Sequence, residues 1–555
     1  MPDRPLRLKA VLRDGPNAVP SKTNSEYPID ILRIQSIEVA KTSIPIDPSI
    51  HRYLRLYSIP NTPSAALSFP PLKTDMSDAL LFEQVAHLIR QCQHHPSCPD
   101  QPIPRLPKRV IDVGSRDRRR PPRLHVNTSA ERARYTALSY CWGAIQQLTT
   151  TRNSLAELEQ EISEENLSKT IRDAIEVTRG LGIQYLWADA LCIIQDSGID
   201  KTTEINSMGK IYKNATVTIA ATSAKTAADG FLGLTQPLAE GLAPFLLRDC
   251  STSPIKMIAP QPELYPGQAQ SRFQDPNILD TRGWALQEFL LSPRLLLFGS
   301  EEVLWQCQTE SLRPLLASSR TYYPEITRLP SSVFGVAHPL MQNSAEDNVK
   351  IWERFITDYS KRQLMLIEDR LPAIAGIISE LGHIWQDTCF AGLWKKFMIH
   401  HLGWFTLPET EAVPASIYTA PTWSWLSISC PVLIPPPLES VDAEVIECVV
   451  IPLMLTSPLG RLQNGKLVLR ALGIHGRKVE QNQRLLSFYF DYKIDAFPGT
   501  AWFIKLGRTQ SKMTIGLVLR SIRGRKYERI GYWSSSNNLA RVLWRNVFPR
   551  NWTIT

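Results

Sequence analysis

The chain has 555 residues and a mass of 62.7 kDa, which is long enough for two to four domains and a large buried core. Its net charge of +9 is spread over that length. The densest basic run, Arg116 to Arg123, contains an aspartate and two prolines, which favours a solvated loop over a phosphate-binding stripe. No apolar run reaches membrane-spanning length, since the best one, Val445 to Leu455, is interrupted by Glu447 and Pro452.

Nine cysteines are widely spaced along the chain. Their odd number and the lack of a recognisable signal peptide predict reduced thiols, a cytoplasmic location and no structural disulfide. Cys92, His94, His95 and Cys98 lie within seven residues, a set that also fits zinc. Because this spacing is cramped for four ligands and no second ligand pair follows nearby, we expect a metal-free helix end with packed thiols. A zinc site stays open as the alternative.

Composition and periodicity divide the chain into five predicted regions. Prolines are frequent near the start, where no helical period persists, and the last part alternates like short strands. The regions are a weakly structured 1–75, a helix and linker at 76–129, an α/β domain at 130–308, a mainly helical 309–440 and a β-rich 441–555. For the last region we expect an antiparallel arrangement of short strands at Gly465–Leu472, Trp502–Leu506, Thr514–Ser521 and Val542–Val547.

The α/β domain is predicted to contain a small, doubly wound parallel sheet. Its apolar runs and helical periods follow the order strand, helices, strand, helix, strand, which is typical of βαβ units. The predicted strands are Tyr135–Tyr140, Tyr185–Ile194 and Thr216–Ala221, and the predicted helices are Ser154–Ile162, Thr170–Leu181 and Lys201–Lys213. The stretch Leu186 to Ile194 is almost continuously apolar, so we expect it to be the central, fully buried strand.

Glu204 is an unusual residue in the helix that follows this strand. At 100° per residue it shares the inward-facing arc with Met208, Ile211 and Tyr212. A carboxylate on such a face is costly unless it is paired or functional. The alternative is that Glu204 sits in the first turn, beside the helix dipole, at a half-wet edge.

A dense polar set follows later, among apolar neighbours: Arg282, Gln287, Glu288 and Arg294. We expect these residues to form a buried network that holds a helix over Trp284 to Leu291 against the sheet. In this interpretation an arginine of the set pairs with Glu288 or Asp189, and a catalytic role is the alternative.

Three segments of the chain resemble the fungal heterokaryon incompatibility (HET) domain. The first reads YTALSYCWG from Tyr135, the second reads LWADALCIIQD from Leu186 and is followed by Glu204, and the third reads RGWALQE from Arg282. Because all three segments occur in this order and at domain-like spacing, the resemblance to this family is highly specific. The resemblance covers roughly residues 130 to 308.

The resemblance implies non-self recognition between fungal hyphae and a cell-death response. HET domains are similar to TIR domains, whose sheet is flavodoxin-like, and some TIR domains cleave NAD with a glutamate on a helix beside the sheet edge. Glu204 corresponds to that catalytic glutamate. Ser139, Trp142, Asp189 and Asp196 would then contact the substrate, because ligands of α/β sheets bind at the carboxyl ends of the strands.

Two function classes remain open. One is a cell-death effector that hydrolyses NAD without a bound cofactor, and the inward-facing Glu204 favours it. The other is a non-enzymatic module that acts by self-association or with another incompatibility protein. The lack of a nucleotide-binding fingerprint, and the presence of Lys201 where the family commonly has tryptophan, favour this second class.

Overall fold

The computed structural model describes residues 79–98, 102–144, 147–233, 278–299, 303–315, 328–335, 345–407, 417–493, 498–536 and 543–555, together with the backbone of strands within 7–58 and 245–260. These residues form a mixed α/β protein with a central mixed sheet, several helices and a largely antiparallel C-terminal sheet. None of the helices in these ranges combines the length and apolarity that a membrane-spanning segment needs.

Ten α-helices occur in the described ranges. They are α1 (Ala79–Cys92), α2 (Leu155–Gln160), α3 (Lys169–Gly180), α4 (Asp189–Cys192), α5 (Gly198–Asn214), α6 (Gly283–Leu290), α7 (Ala345–Tyr359), α8 (Ala375–Trp385), α9 (Met398–His401) and α10 (Gly476–Glu480). The longer helices carry one apolar face, as their 3.6-residue periodicity predicts. In α5 that face includes Glu204, Met208, Ile211 and Tyr212, so the burial of Glu204 predicted from its arc is confirmed.

The strands form three larger sheets and one two-stranded pair. They are β1 (Arg7–Leu12), β2 (Ile31–Val39), β3 (Thr42–Pro45), β4 (Tyr53–Ser58), β5 (Arg109–Asp112), β6 (Arg123–Val126), β7 (Tyr135–Ser139), β8 (Tyr185–Trp187), β9 (Val217–Ala220), β10 (Phe245–Arg248), β11 (Pro254–Pro260), β12 (Arg294–Phe298), β13 (Val303–Cys307), β14 (Arg313–Pro314), β15 (Cys389–Phe390), β16 (Leu393–Trp394), β17 (Leu438–Val441), β18 (Ala443–Pro452), β19 (Leu462–Ala471), β20 (Gly473–His475), β21 (Ser487–Phe490), β22 (Trp502–Thr509), β23 (Thr514–Ile522), β24 (Lys526–Ser535) and β25 (Arg550–Ile554).

The central sheet has the strand order β14-β13-β12-β9-β7-β8-β5-β6. Strands β12, β9, β7 and β8 run parallel, as predicted for β7 and β8, whereas β5, β6, β13 and β14 add antiparallel pairs. The sheet is therefore mixed rather than parallel. β7 lies between β8 and β9. The chain therefore passes from β7 to β8 on one side and then crosses to β9 on the other side of β7.

The predicted central strand Leu186 to Ile194 is too long. β8 ends at Trp187, and Ala188 leads into the helical turn α4. A short, continuous apolar run does not distinguish a buried strand from a buried helical turn, because neither exposes a polar face. The shorter strand places Asp189 just beyond the end of β8 instead of inside the sheet.

The N-terminal and C-terminal regions contribute further sheets. Residues 1–75, which we expected to be weakly structured, contain β1 to β4, and these pair with one another and with β11. The C-terminal sheet follows the order β17-β22-β23-β24-β25-β19-β18, with β20 and β21 at its sides. The prediction of a strand at Val542–Val547 is wrong for residues 543–547, which form turns before β25.

A buried ion pair fastens this C-terminal sheet to the helical region. Arg529 of β24 is fully buried, and its Nε lies 3.0 Å from the Asp491 carboxylate. Its guanidinium also lies 3.3 Å from the centre of the Trp404 ring and donates a 2.6 Å hydrogen bond to the Leu402 carbonyl. Pairing with hydrogen bonds on every side offsets the cost of removing this charge from water.

Helix α5 crosses α8 at close range. A Cβ added at Gly209 would lie 2.7 Å from the Gly376 Cα, so both helices need glycine at the crossing. The Gln287 Oε1 atom of α6 accepts a 2.7 Å hydrogen bond from the Gly376 amide. The central domain and the following helical region therefore share one continuous core.

Gly209→Ala should destabilise the protein by about 1–3 kcal/mol, because the new methyl group must push the two helices apart. Gly198→Ala, in the first turn of the same helix, is the matched control, since nothing lies within 4 Å of its added Cβ. That control should be neutral or up to about 1 kcal/mol more stable, as alanine favours helix. Denaturant unfolding measures both, and equal stabilities of the two variants would contradict the described crossing.

Candidate functional site

The carboxyl end of β7 is the point where the direction of strand succession reverses. β8 and β9 flank β7, with Thr136 paired to Leu186 on one side and to Val217 on the other. In open α/β sheets the crevice at such a switch point receives ligands. Ser139 ends β7 at this position, and Tyr140, Cys141 and Trp142 follow it.

Glu288 of α6 lies against the end of β7. The Ser139 hydroxyl donates a short hydrogen bond to the Glu288 carboxylate, and the two residues are 0% and 5% exposed. Burial raises the pKa of Glu288 to about 7, against the lowering effects of the Arg282 charge and the Ser139 hydroxyl. Near neutral pH this carboxyl group is thus poised between its charged and neutral forms.

Trp142 and Asp189 form the more accessible part of this edge. The Trp142 indole N–H donates to both carboxylate oxygens of Asp189, at 2.9 and 3.1 Å, and both side chains are half-buried. Burial raises the pKa of Asp189, and the Arg282 charge and the Trp142 N–H only partly offset this. The Asp189 charge in turn raises the pKa of Glu288, so the two carboxyl groups lie in each other's field.

Arg282 lowers the pKa of both carboxyl groups, but it does not form the ion pair with Glu288 or Asp189 that we predicted. Its guanidinium donates a short hydrogen bond to the Tyr140 carbonyl, and the Glu288 and Asp189 charges raise its pKa against burial. Arg294 lies elsewhere: it begins β12, at the amino edge of the parallel strands, and donates to the Thr216 carbonyl at 3.3 Å. The predicted four-residue network is therefore divided between the two edges of the sheet.

Glu204 lies in a separate buried group. Its Oε1 is 3.7 Å from Arg109 Nη2, and Arg109 also contacts the Asp200 carboxylate directly and donates 2.7 Å to the Cys192 carbonyl. Burial raises the pKa of Glu204, while the Arg109 charge lowers it. The pKa of Asp200 lies below its usual value. Burial raises this pKa, but the hydrogen bond from Lys108 helps to lower it.

The structure thus brings together five of the predicted site residues and separates the others. Ser139, Trp142, Asp189 and Glu288 share the switch-point edge, and we call these four, with Arg282, the edge cluster. Asp196 is exposed and accepts a 2.9 Å hydrogen bond from the Arg152 amide. Gln287 contacts α8, as described above.

Sequence reasoning missed two residues that matter here. Arg109 stands in a strand flanked by other basic residues, so nothing in its neighbourhood marks it as the partner of Glu204. Cys307, at the end of β13, joins Cys92, His95 and Cys98 in one cluster. The eight described cysteines are free thiols, whereas Cys250 lies outside the described residues.

The raised pKa of Glu288 makes stability depend on pH. Its carboxyl group goes from a pKa of 4.5 to about 7 on folding, so the folded state binds the extra proton. The cost to stability is absent below the unfolded pKa, grows as pH rises from about 4.5 to about 7 and stays constant above the folded pKa. Glu288→Gln removes this titration, and its free energy of unfolding should rise relative to wild type by about 3 kcal/mol between about pH 5 and about pH 8.

Denaturant unfolding across that pH range measures the difference. Glu157→Gln, at an exposed position of α2, is the matched control and should follow wild type at every pH. If the curves of Glu288→Gln and wild type stay parallel, the Glu288 carboxyl group does not titrate as described.

Comparison with known proteins agrees with the motifs. Residues 135–288 match the family model described as Heterokaryon incompatibility protein (HET), a range that begins at the first residue of β7 and ends at Glu288. No curated protein and no solved structure matches the chain. The resemblance deduced from the three segments is confirmed: this chain carries a HET domain, which supports a role related to heterokaryon incompatibility.

Proposed function

We propose that this protein acts in the cytoplasm in fungal non-self recognition, and that its HET domain triggers cell death by hydrolysing NAD or a related dinucleotide. The observation that carries the proposal is the edge cluster. All three matched segments contribute to it, and it contains a buried carboxyl group, Glu288, with a pKa of about 7. Keeping such a group next to half-buried Trp142 and Asp189 is unfavourable for stability, and perturbed groups of this kind concentrate at functional sites.

The strand order supports the likeness to TIR domains. Numbered along the chain, the parallel strands β8-β7-β9-β12 have the order 2-1-3-4, which is the order of flavodoxin-like sheets. In that arrangement the ligand lies over the carboxyl end of the first strand, and here that end is Ser139.

The chemistry requires one ionised carboxylate. When the bond between nicotinamide and ribose breaks, positive charge builds on the ribose, and water then adds to give ADP-ribose. A buried carboxylate stabilises that charge strongly because little water screens it. Glu288 supplies this group in its ionised form, so hydrolysis increases as pH rises through about 7.

The neighbouring side chains fit the rest of such a substrate. Trp142 offers an aromatic face on which a ring can stack, and Asp189 offers carboxylate oxygens to ribose hydroxyls once its hydrogen bond from Trp142 opens. We assign Asp196, on the exposed loop after α4, a contact with an outer part of the ligand.

Glu204 is the second carboxylate to consider, because its place in the motif corresponds to the catalytic glutamate of TIR domains. It is 3% exposed and faces Arg109, whereas Glu288 belongs to the edge cluster and contacts Ser139. This difference supports Glu288 as the group beside the ribose and gives Glu204 a positioning role through Arg109 and α5.

Overexpression in a fungal host tests this assignment. Glu288→Gln keeps the size of the side chain and removes its charge, so it should abolish both the loss of cellular NAD and cell death. Glu204→Gln should reduce them less, and the exposed control Glu157→Gln should behave like wild type. Full NAD loss with Glu288→Gln and none with Glu204→Gln would move the catalytic role to Glu204.

A non-enzymatic assembly function is the second candidate, and one observation favours it. β18 is one of the two strands at the ends of the described C-terminal sheet and exposes Ile446, Val449 and Ile451, with Leu455 89% exposed just beyond it. An apolar edge strand is a template for pairing with another chain. Cell death that persists in Glu288→Gln but is lost in Ile451→Lys, with Glu444→Lys as the control on the same strand, would establish this function instead.

A further inference from the structure

Four side chains with metal-binding atoms converge at the amino edge of the central sheet, opposite the edge cluster. Cys92 ends α1, His95 and Cys98 follow in the next turn, and Cys307 ends β13. Their Sγ and Nδ1 or Nε2 atoms all lie within 4.8 Å of one another. We propose that these residues form a structural zinc site of the Cys3His type.

The distances fit one tetrahedral ion. Zinc binds sulfur at about 2.3 Å and histidine nitrogen at about 2.0–2.1 Å, so the sulfur and nitrogen ligands of one ion lie about 3.6 Å apart. His95 Nδ1 lies 3.7 Å from Cys98 Sγ and 3.5 Å from Cys307 Sγ. These two distances therefore match those of a tetrahedral site, and the four ligand atoms all lie within 4.8 Å of one another.

The backbone preorganises the ligands before any ion binds. The His95 amide donates to the Cys92 carbonyl at 3.3 Å, and the Cys98 amide donates to the His95 carbonyl at 3.2 Å. These two turns bring the Cys-x-x-His-x-x-Cys ligands to the same side. His94, which the sequence offered as a fourth ligand, is exposed, and Cys307 takes that place from a distant strand.

Polar groups of the protein also contact two of the sulfur atoms, which bind metal as thiolates. The Glu310 amide donates to Cys307 Sγ at 3.2 Å, and the Thr309 hydroxyl lies 3.5 Å from Cys98 Sγ. All three cysteines are at least 95% buried.

Zinc is the ion that this donor set suits. Three thiolates and one imidazole form a closed shell with no position for a substrate, as in structural zinc sites. The ion would tie the segment before the HET domain to the β12–β13 hairpin after it. Because α6 leads directly into β12, this tie also fixes the helix that carries Glu288.

Elemental analysis of the full chain, purified without added metal and without a histidine tag, should give about one zinc ion per chain. Cys307→Ser should lower this to about zero, whereas Cys448→Ser, a half-buried cysteine of β18, should keep the full amount. His95→Ala and the exposed neighbour His94→Ala form a second matched pair with the same expected contrast. Chelation of the wild-type ion should lower the melting temperature.

A measurement on wild type keeps the test valid if the cysteine variants fail to fold. Cobalt titrated into the zinc-free chain should bind once and give the intense visible and sulfur-to-cobalt absorption bands of a tetrahedral thiolate site. A wild-type chain that contains no zinc and gives no such bands, or that carries a disulfide between two of these cysteines, would overturn the proposal. Zinc content unchanged by Cys307→Ser would do the same.

Discussion

The hydrogen bond from Ser139 to Glu288 holds together the part of the chain that matches the HET family. It joins the innermost parallel strand to the last helix of the match, over 149 residues of sequence. Both groups are almost fully buried, so each would leave a buried polar atom without its partner if the other were removed. Because β7 is also the switch point of the sheet, this contact fixes the position at which an α/β fold binds its ligand.

The two edges of the central sheet have different tasks in this account. The carboxyl edge carries Trp142, Asp189 and Glu288, the residues to which we assign the proposed reaction. The amino edge carries the cysteine–histidine cluster and Arg294, which connect the segments before and after the domain. Helix α6 and strand β12 link the two edges, so a rigid amino edge limits the movement of Glu288. The contact of α5 with α8 through Gly209 and Gly376 adds support from the helical region.

Local patterns predicted much of this arrangement. Helical periodicity located α3 and α5 within a few residues, and the arc of α5 placed Glu204 inside. The order of the elements predicted parallel pairing of β7 with β8. The predicted end of β8 was wrong because a buried run is equally apolar whether it forms a strand or a helix. The strand predicted at 542–547 rested on a short run with the same ambiguity.

Contacts between distant segments could not be predicted from one sequence. Nothing near Glu288 indicates that Ser139 faces it, and nothing near Cys98 indicates Cys307, which follows His95 by 212 residues. Arg109 likewise precedes Asp200 by 91 residues. These pairs depend on the order of strands in the folded sheet, and only the three-dimensional arrangement reveals it.

The release of nicotinamide from NAD by the purified full-length chain tests the central claim most directly. The account predicts steady release that increases as pH rises through about 7, where Glu288 ionises, with ADP-ribose as the second product. A folded chain that releases no nicotinamide at any pH would contradict it.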